Sequence, residues 1–166
     1  IRAAHVQVEN GAALQVELYL LLSEAELHSR RGSSSSSSIA LEAAQSAATI
    51  ASDLKDPVLL GNVDRQLARC LAAQGDRSKA SQTLKSAGAK GDGWAPLEEA
   101  TMLVQDGLPR EAVEVLQSAV TRLTRQSDNN STSSCAAVLL GGALLSAGDA
   151  AAAVAALQSP LYPVDG

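Results

Sequence analysis

The side chains of this chain that could do chemistry are few, and their spacing keeps them apart. His5 and His28 are the only histidines, and neither sits in a cluster of ligand residues at the spacing a zinc site needs. Glu98 and Glu99 are neighbours, so a helix sends them to different faces; they read as first-turn acids favoured by the helix dipole, not as an acid–base pair. Gly91-Asp92-Gly93 and Gly141-Gly142 lack the lysine and the preceding strand of a phosphate loop. Asn129-Asn130-Ser131-Thr132 holds two overlapping glycosylation sequons, which matter only in a secreted protein. Arg30-Arg31-Gly32-Ser33 places a basic pair ahead of Ser33 in a polar loop, a pattern that a basophilic kinase could phosphorylate at Ser33. Nothing assembles a nucleophile, a base and an oxyanion donor. The sequence therefore predicts no catalytic residue, no metal, no cofactor and no enzymatic activity in this stretch of chain.

What positions these residues is a small-residue pattern that occurs three times in one register. Gly75 is followed by Ala80, Leu84 and Ala87 at offsets of 5, 9 and 12. Gly107 is followed at the same offsets by Ala112, Leu116 and Ala119, and Gly148 by Ala153 and Leu157, the third offset falling on Pro160. Each glycine also has a leucine four residues before it (Leu71, Leu103, Leu144) and a small residue seven before it (Ala68, Ala100, Gly141). The physical reading is a helix, a tight glycine turn and a second helix folded back on the first, with small residues where the backbones approach. A repeat of this kind predicts an all-α chain of antiparallel helix–turn–helix repeats stacked as an α-solenoid.

Composition agrees. The chain has 166 residues, 46% of them hydrophobic, with no Phe and only Tyr19, Trp94 and Tyr162 as aromatics. A core of Ala, Leu and Val suits closely packed helices, because the β-branched and aromatic residues that favour strands are scarce. The net charge of −5 and scattered basic residues give no basic stripe for nucleic acid, and no apolar run reaches the length of a membrane span. Cys70 and Cys135 lie on apolar stretches and read as buried free thiols, which points to a cytoplasmic or nuclear location. The start at Ile1 and the last motif running into the chain end suggest a fragment of a longer protein.

A pass along the chain predicts eight helices in four pairs within a single domain spanning 1–166. The first runs from Ala12 to Arg31, with Leu14, Leu18, Leu21, Leu22, Ala25 and Leu27 on one broad face. A serine-rich loop over 32–38 separates it from Ile39 to Leu54, whose Ala40, Ala44, Ala47 and Ala51 permit close approach. Asp56-Pro57 caps and opens a third helix, Pro96 opens the fifth, and a second polar loop covers 126–134. Leu71, Leu84, Leu103 and Leu116 are expected to face the neighbouring helix of their pair.

The glycine-centred residues resemble the tetratricopeptide repeat, with a small residue in the first helix, a turn glycine, then alanine, a bulky apolar residue and alanine in the second. The steps between glycines, 32 and then 41 residues, depart from a strict period and suggest a degenerate array with loop insertions. If the array is tetratricopeptide-like, the first helices of the pairs line its concave face, and Arg65, Arg69 and Gln105 are the polar positions that would touch a protein partner. Trp94-Ala95-Pro96-Leu97-Glu98-Glu99-Ala100, Gln105-Asp106-Gly107 and Arg110 to Leu116, with Leu67-Ala68-Arg69 and Gly142-Ala143-Leu144-Leu145, look like the helical FAT region of the phosphatidylinositol-3-kinase-related kinases, especially the ATM branch. That resemblance implies a non-catalytic cradle around a Ser/Thr kinase whose active site lies outside this chain. Leu21 to Leu27 with Ile39-Ala40-Leu41 is similar instead to a tetratricopeptide stretch in the fifth subunit of the anaphase-promoting complex, a ubiquitin-ligase scaffold. A third reading makes these helices a regulatory appendage of another enzyme. All three imply that the partners are proteins or other domains of the same polypeptide.

Overall fold

The computed structural model describes the backbone of residues 2–28, 34–125 and 130–158, and the side chains of 11–28, 38–125 and 131–158. Among the described residues every regular element is an α-helix: α1 Arg2–His28, α2 Ser34–Leu54, α3 Pro57–Ala73, α4 Arg77–Ala89, α5 Ala95–Gln105, α6 Pro109–Arg125, α7 Asn130–Ser146 and α8 Ala150–Leu157. The chain falls into two compact units, Ile1–Asp92 and Gly93–Gly166, where the sequence reading takes it as one domain.

Start signals are local. The Asp56 carboxylate accepts hydrogen bonds from Val58 N at 2.9 Å and Leu59 N at 3.2 Å, with Pro57 at the first helical position. Asp76 and Asp149 cap α4 and α8 through Lys79 N and Ala152 N. Lys79 also reaches the Asp76 carboxylate at 2.7 Å, which lowers the Asp76 pKa below the ordinary carboxylate value.

The repeated glycines are helix stops. Gly75, Gly107 and Gly148 have φ of 87°, 77° and 87°, the left-handed conformation that glycine adopts without a Cβ penalty. Each donates to the carbonyl three residues back, at 3.0, 3.1 and 3.0 Å. The next residue (Asp76, Leu108 or Asp149) donates to the carbonyl of the leucine at the −4 position, Leu71, Leu103 or Leu144. This paired closure satisfies helix-end carbonyls three times in the same way. The turn expected at Gly32 lies outside the described residues. A fourth closure of the same kind occurs at Gly91, φ 103°, where Asp92 N donates to Ala87 O at 3.1 Å. In two of the turns, at Asp76 and Asp149, the residue that completes one helix stop caps the next helix.

Within the first unit α1 packs on α2, α2 on α3 and α3 on α4, and α1 also touches α3. Within the second, α5, α6, α7 and α8 follow the same order, and α5 also touches α7. The core of the first unit is built from Val16, Ala47, Ala51 and Val63, with a second cluster of Ala40, Ala44 and Cys70. The four α2 alanines expected at close approach are fully buried. In the second unit Leu97, Ala112, Leu116, Ala119, Leu123, Leu140 and Ala153 form one cluster. The residue at −7 from each glycine is buried, and in the last hairpin the leucine at +9 lies against it: a Cβ built on Gly141 would stand 2.9 Å from Leu157 Cγ.

Several expectations need correction. Leu84 and Leu116 are fully buried, whereas Leu71 and Leu103 are half-buried, Leu103 still packing on the cluster of Ala112, Leu116 and Ala119 as expected. In α1 the buried side chains are Val16 and Ser23, with Leu20 and Leu27 half-buried beside them, while Leu14, Leu18, Leu21 and Leu22 are exposed. Leu27 therefore belongs to the opposite face from the leucines with which it was grouped. The serine run does not form a loop over its whole length, since Ser34 to Ser38 belong to α2. Ser costs a helix only about 0.5 kcal/mol relative to Ala, so an established helix extends into it. The polar loop of 126–134 likewise gives way at Asn130, where α7 begins; Thr132 and Ser133 are buried, and Thr132 Cγ2 and Leu123 crowd Gly93. The longer glycine-to-glycine step comes from longer helices and not from inserted loops: α6 and α7 have 17 residues each, against 13 in α4 and 11 in α5.

Candidate functional site

Two grooves lie between first helices of successive pairs, one in each unit. In the second unit α5 supplies Ala100, Thr101, Val104 and Gln105, and α7 supplies Val138, Leu139, Gly142, Ala143 and Ser146, around a space of about 360 Å³ with Leu116 as its floor. The groove exists because Ala100, Gly142 and Ala143 are too small to fill it; a Cβ on Gly142 would meet nothing within 4 Å. Its walls are apolar. The Thr101 and Ser146 hydroxyls donate to carbonyls of their own helices, Leu97 O at 2.8 Å and Gly142 O at 2.9 Å, which turns their polarity away from an occupant. Gln105, the last residue of α5, stands exposed on the rim as a polar handle.

In the first unit Leu20, Leu21 and Glu24 of α1 face Asn62, Arg65, Gln66 and Arg69 of α3 across a space of about 260 Å³. Arg65 and Arg69 thus share one wall, a helical turn apart, while Gln105 belongs to the other unit. Both arginines are engaged inside their unit. Arg65 donates to Asn62 Oδ1 at 3.2 Å, and its Nε pairs with the buried Asp92 carboxylate at 3.2 Å without hydrogen-bond alignment at Oδ2. Arg69 donates to Gln66 Oε1 at 3.4 Å and lies 3.7 Å from Glu24 Oε1, an exposed contact worth little. Their first role is to join α3 to α1 and to the end of α4. Asp64 of α3 also ties that helix to the end of α4, accepting from Lys90 and Ser86.

Beneath the arginines is a buried polar cluster. Gln66 Nε2 donates to Ser23 Oγ at 3.2 Å, and Ser23 Oγ lies 3.2 Å from Cys70 Sγ. Burial pushes the Cys70 thiol above its ordinary pKa, partly offset by the Ser23 hydroxyl. Cys135 is only half-buried, contrary to the expectation of two buried thiols. Because the thiolate is the nucleophile, a disulfide exchange reagent added to the native chain at pH 8 will modify Cys135 first and Cys70 only on unfolding. The check is mass spectrometry of the time course; Cys70 reacting as fast as Cys135 would overturn the assigned burial.

Ser33, with Arg30 and Arg31, lies outside the described residues. Glu98 lies in the first turn of α5 and Glu99 is buried, so the pair does not converge on one surface. His28 Nδ1 lies 2.9 Å from Glu24 O, a local contact. Among the described residues no group of three or more His, Cys, Asp or Glu could hold a metal ion, and no helix is long and apolar enough to cross a membrane. The Gly142 opening was not foreseen from the sequence. Its signal was a pair of adjacent glycines in a helix, where each costs about 1 kcal/mol unless packing or a partner requires it.

A scan against protein-family models matches none of them, and a search of curated proteins finds no match.

Proposed function

We propose that this chain is a non-catalytic helical-repeat scaffold that binds a protein partner or another domain of its own polypeptide through the groove between α5 and α7. The observation that carries this reading is the groove itself: apolar walls, a floor of one buried leucine, small residues that leave it open and one polar side chain at its edge. An apolar cleft with few polar groups is what an amphipathic segment fills with one or two anchoring side chains. In the tetratricopeptide-like reading, the helices that line the groove are those of the concave face, and the two units belong to one α-solenoid. The FAT resemblance names a larger setting, a cradle for a kinase domain elsewhere, and it rests on the sequence likeness of the Trp94–Ala100, Gln105–Gly107 and Arg110–Leu116 stretches. The ubiquitin-ligase scaffold reading rests on a likeness over roughly Leu14 to Ala87, from α1 into α4, and finds no counterpart in α5 to α8.

A photo-crosslinking amino acid at Val138, exposed on the groove wall, is expected to capture a discrete protein partner, or another domain of its own polypeptide, in cells. The same probe at Glu114, on α6 away from the groove, should not, and Gly142→Leu should abolish the Val138 adduct by filling the cleft. Equal adducts from both positions, or an adduct insensitive to Gly142→Leu, would overturn the assignment of the groove.

A further inference from the structure

The α1 helix carries two apolar faces. Val16, Leu20, Ser23 and Leu27 turn towards α2 and α3. Leu14, Leu18, Leu21 and Ala25 have the same spacing of four, three and four residues on the opposite side, with Leu22 beside them. On this outer face Leu14, Leu18 and Leu21 are 59%, 64% and 62% exposed. That spacing is the seam of a two-helix interface, in which each apolar residue inserts between residues of a facing helix. A protein exposing a leucine here and there needs no explanation, but an ordered seam on one helix does.

The charge around the seam selects its occupant. Glu17 and Glu24, seven residues apart, line one edge of it, and Glu26 lies beyond the other. On the packed neighbour α2 the charged side chains are Glu42 and Asp53, so the described side chains of this hairpin include five acids and neither Lys nor Arg. From α3, Arg65 and Arg69 approach the Glu24 edge, where Arg69 meets Glu24 at 3.7 Å and Arg65 is turned to Asp92. Arg30 and Arg31 follow α1 in sequence at one end only. A second copy of this chain suits the seam poorly. An antiparallel copy would bring Glu17 close to the other copy's Glu24, and a parallel one would set Glu17 against the other copy's Leu22, with no opposite charge in either case.

We infer that the outer face of α1 docks an amphipathic helix with a leucine-type stripe flanked by Lys or Arg, on a surface separate from the α5–α7 groove. Leucines on that helix would interleave with Leu14, Leu18 and Leu21, and its basic flanks would meet Glu17, Glu24 and Glu26.

The test uses the full 166-residue chain and three synthetic helical peptides of equal length: a leucine stripe with Lys flanks, the same stripe with Glu flanks, and the Lys peptide with its stripe scrambled. By fluorescence anisotropy the Lys-flanked stripe should bind at least about 10-fold more tightly than either control, and more weakly as salt rises. Leu18→Ser with Leu21→Ser should remove that preference without altering the far-ultraviolet spectrum, since both side chains already face solvent. Glu17→Lys should shift preference towards the Glu-flanked peptide, while Gly142→Leu, which blocks the other groove, should change nothing. Equal binding of all three peptides, or binding unaffected by the double serine variant, would overturn the proposal. So would a dimer in sedimentation that Leu18→Ser dissolves, which would assign the seam to a second copy.

Discussion

Leu84→Ala and Leu116→Ala will each lower the unfolding free energy of the chain by about 2–5 kcal/mol, the largest stability effects expected of single substitutions here. Each leucine is 1% exposed and sits at the +9 position of its repeat. Truncation removes three carbons from a fully buried site, which in the case of Leu116 shares its cluster with Ala100, Ala112, Ala119 and Ala143. Alanines have no alternative rotamers with which to collapse into the space, so the residual cavity stays large. Leu71→Ala and Leu103→Ala should cost clearly less because half-buried side chains lose less contact, and Lys79→Ala and Glu114→Ala should stay within about 0.5 kcal/mol. Urea titration followed by circular dichroism provides the measurement. Similar losses at Leu84 and Leu71 would show that the +9 position has no special place in the packing.

The second large effect is a contrast between adjacent glycines. Gly141→Leu should destabilise by about 1–3 kcal/mol, because even a Cβ there would stand 2.9 Å from Leu157 Cγ and 3.0 Å from its Cδ2, forcing α8 away from α7. Gly142→Leu, one residue on in the same helix, should be neutral or stabilising by up to about 1 kcal/mol, since it gains helix propensity and enters open space. Thermal denaturation of the two variants reads the sign directly. Matching shifts in the two would mean that the groove is not open at Gly142.

The turns were legible because their chemistry is local. A backbone that must take φ near +80° excludes most side chains, so the glycines show in the residue string whatever surrounds them. The small residues at −7 and the apolar ones at +5, +9 and +12 were legible because hairpin packing holds them at fixed distances from that glycine. Gly91 does not read as a stop of the repeated kind because the chain around it does not carry those offsets. The face of α1 was not legible. With apolar residues on two opposite sides, a 3.6-residue period does not reveal which side meets the core, and only the positions of α2 and α3 decide it. Ser34 to Ser38 and Asn130 to Ser134 read as loop because their composition is polar, although their propensities oppose a helix only weakly. The α5–α7 groove is lined by residues of two helices more than 30 positions apart in sequence, such as Gln105 and Val138, a juxtaposition that no local pattern encodes.

The placement of the extra length in the second unit bears on how such a chain can change. The additional residues of α6 and α7 lie at the ends farthest from their glycine stops, so they shift none of the matching offsets counted from Gly107 and Gly148. Each hairpin is therefore pinned at one end and extensible at the other. Mutation can lengthen or shorten the open end by a turn without disturbing the glycine-centred positions, whereas one residue inserted beside the glycine would shift them all. Duplicated hairpins of this kind can drift in size while keeping their fold, and a binding segment is best grafted into such a chain at the unpinned ends.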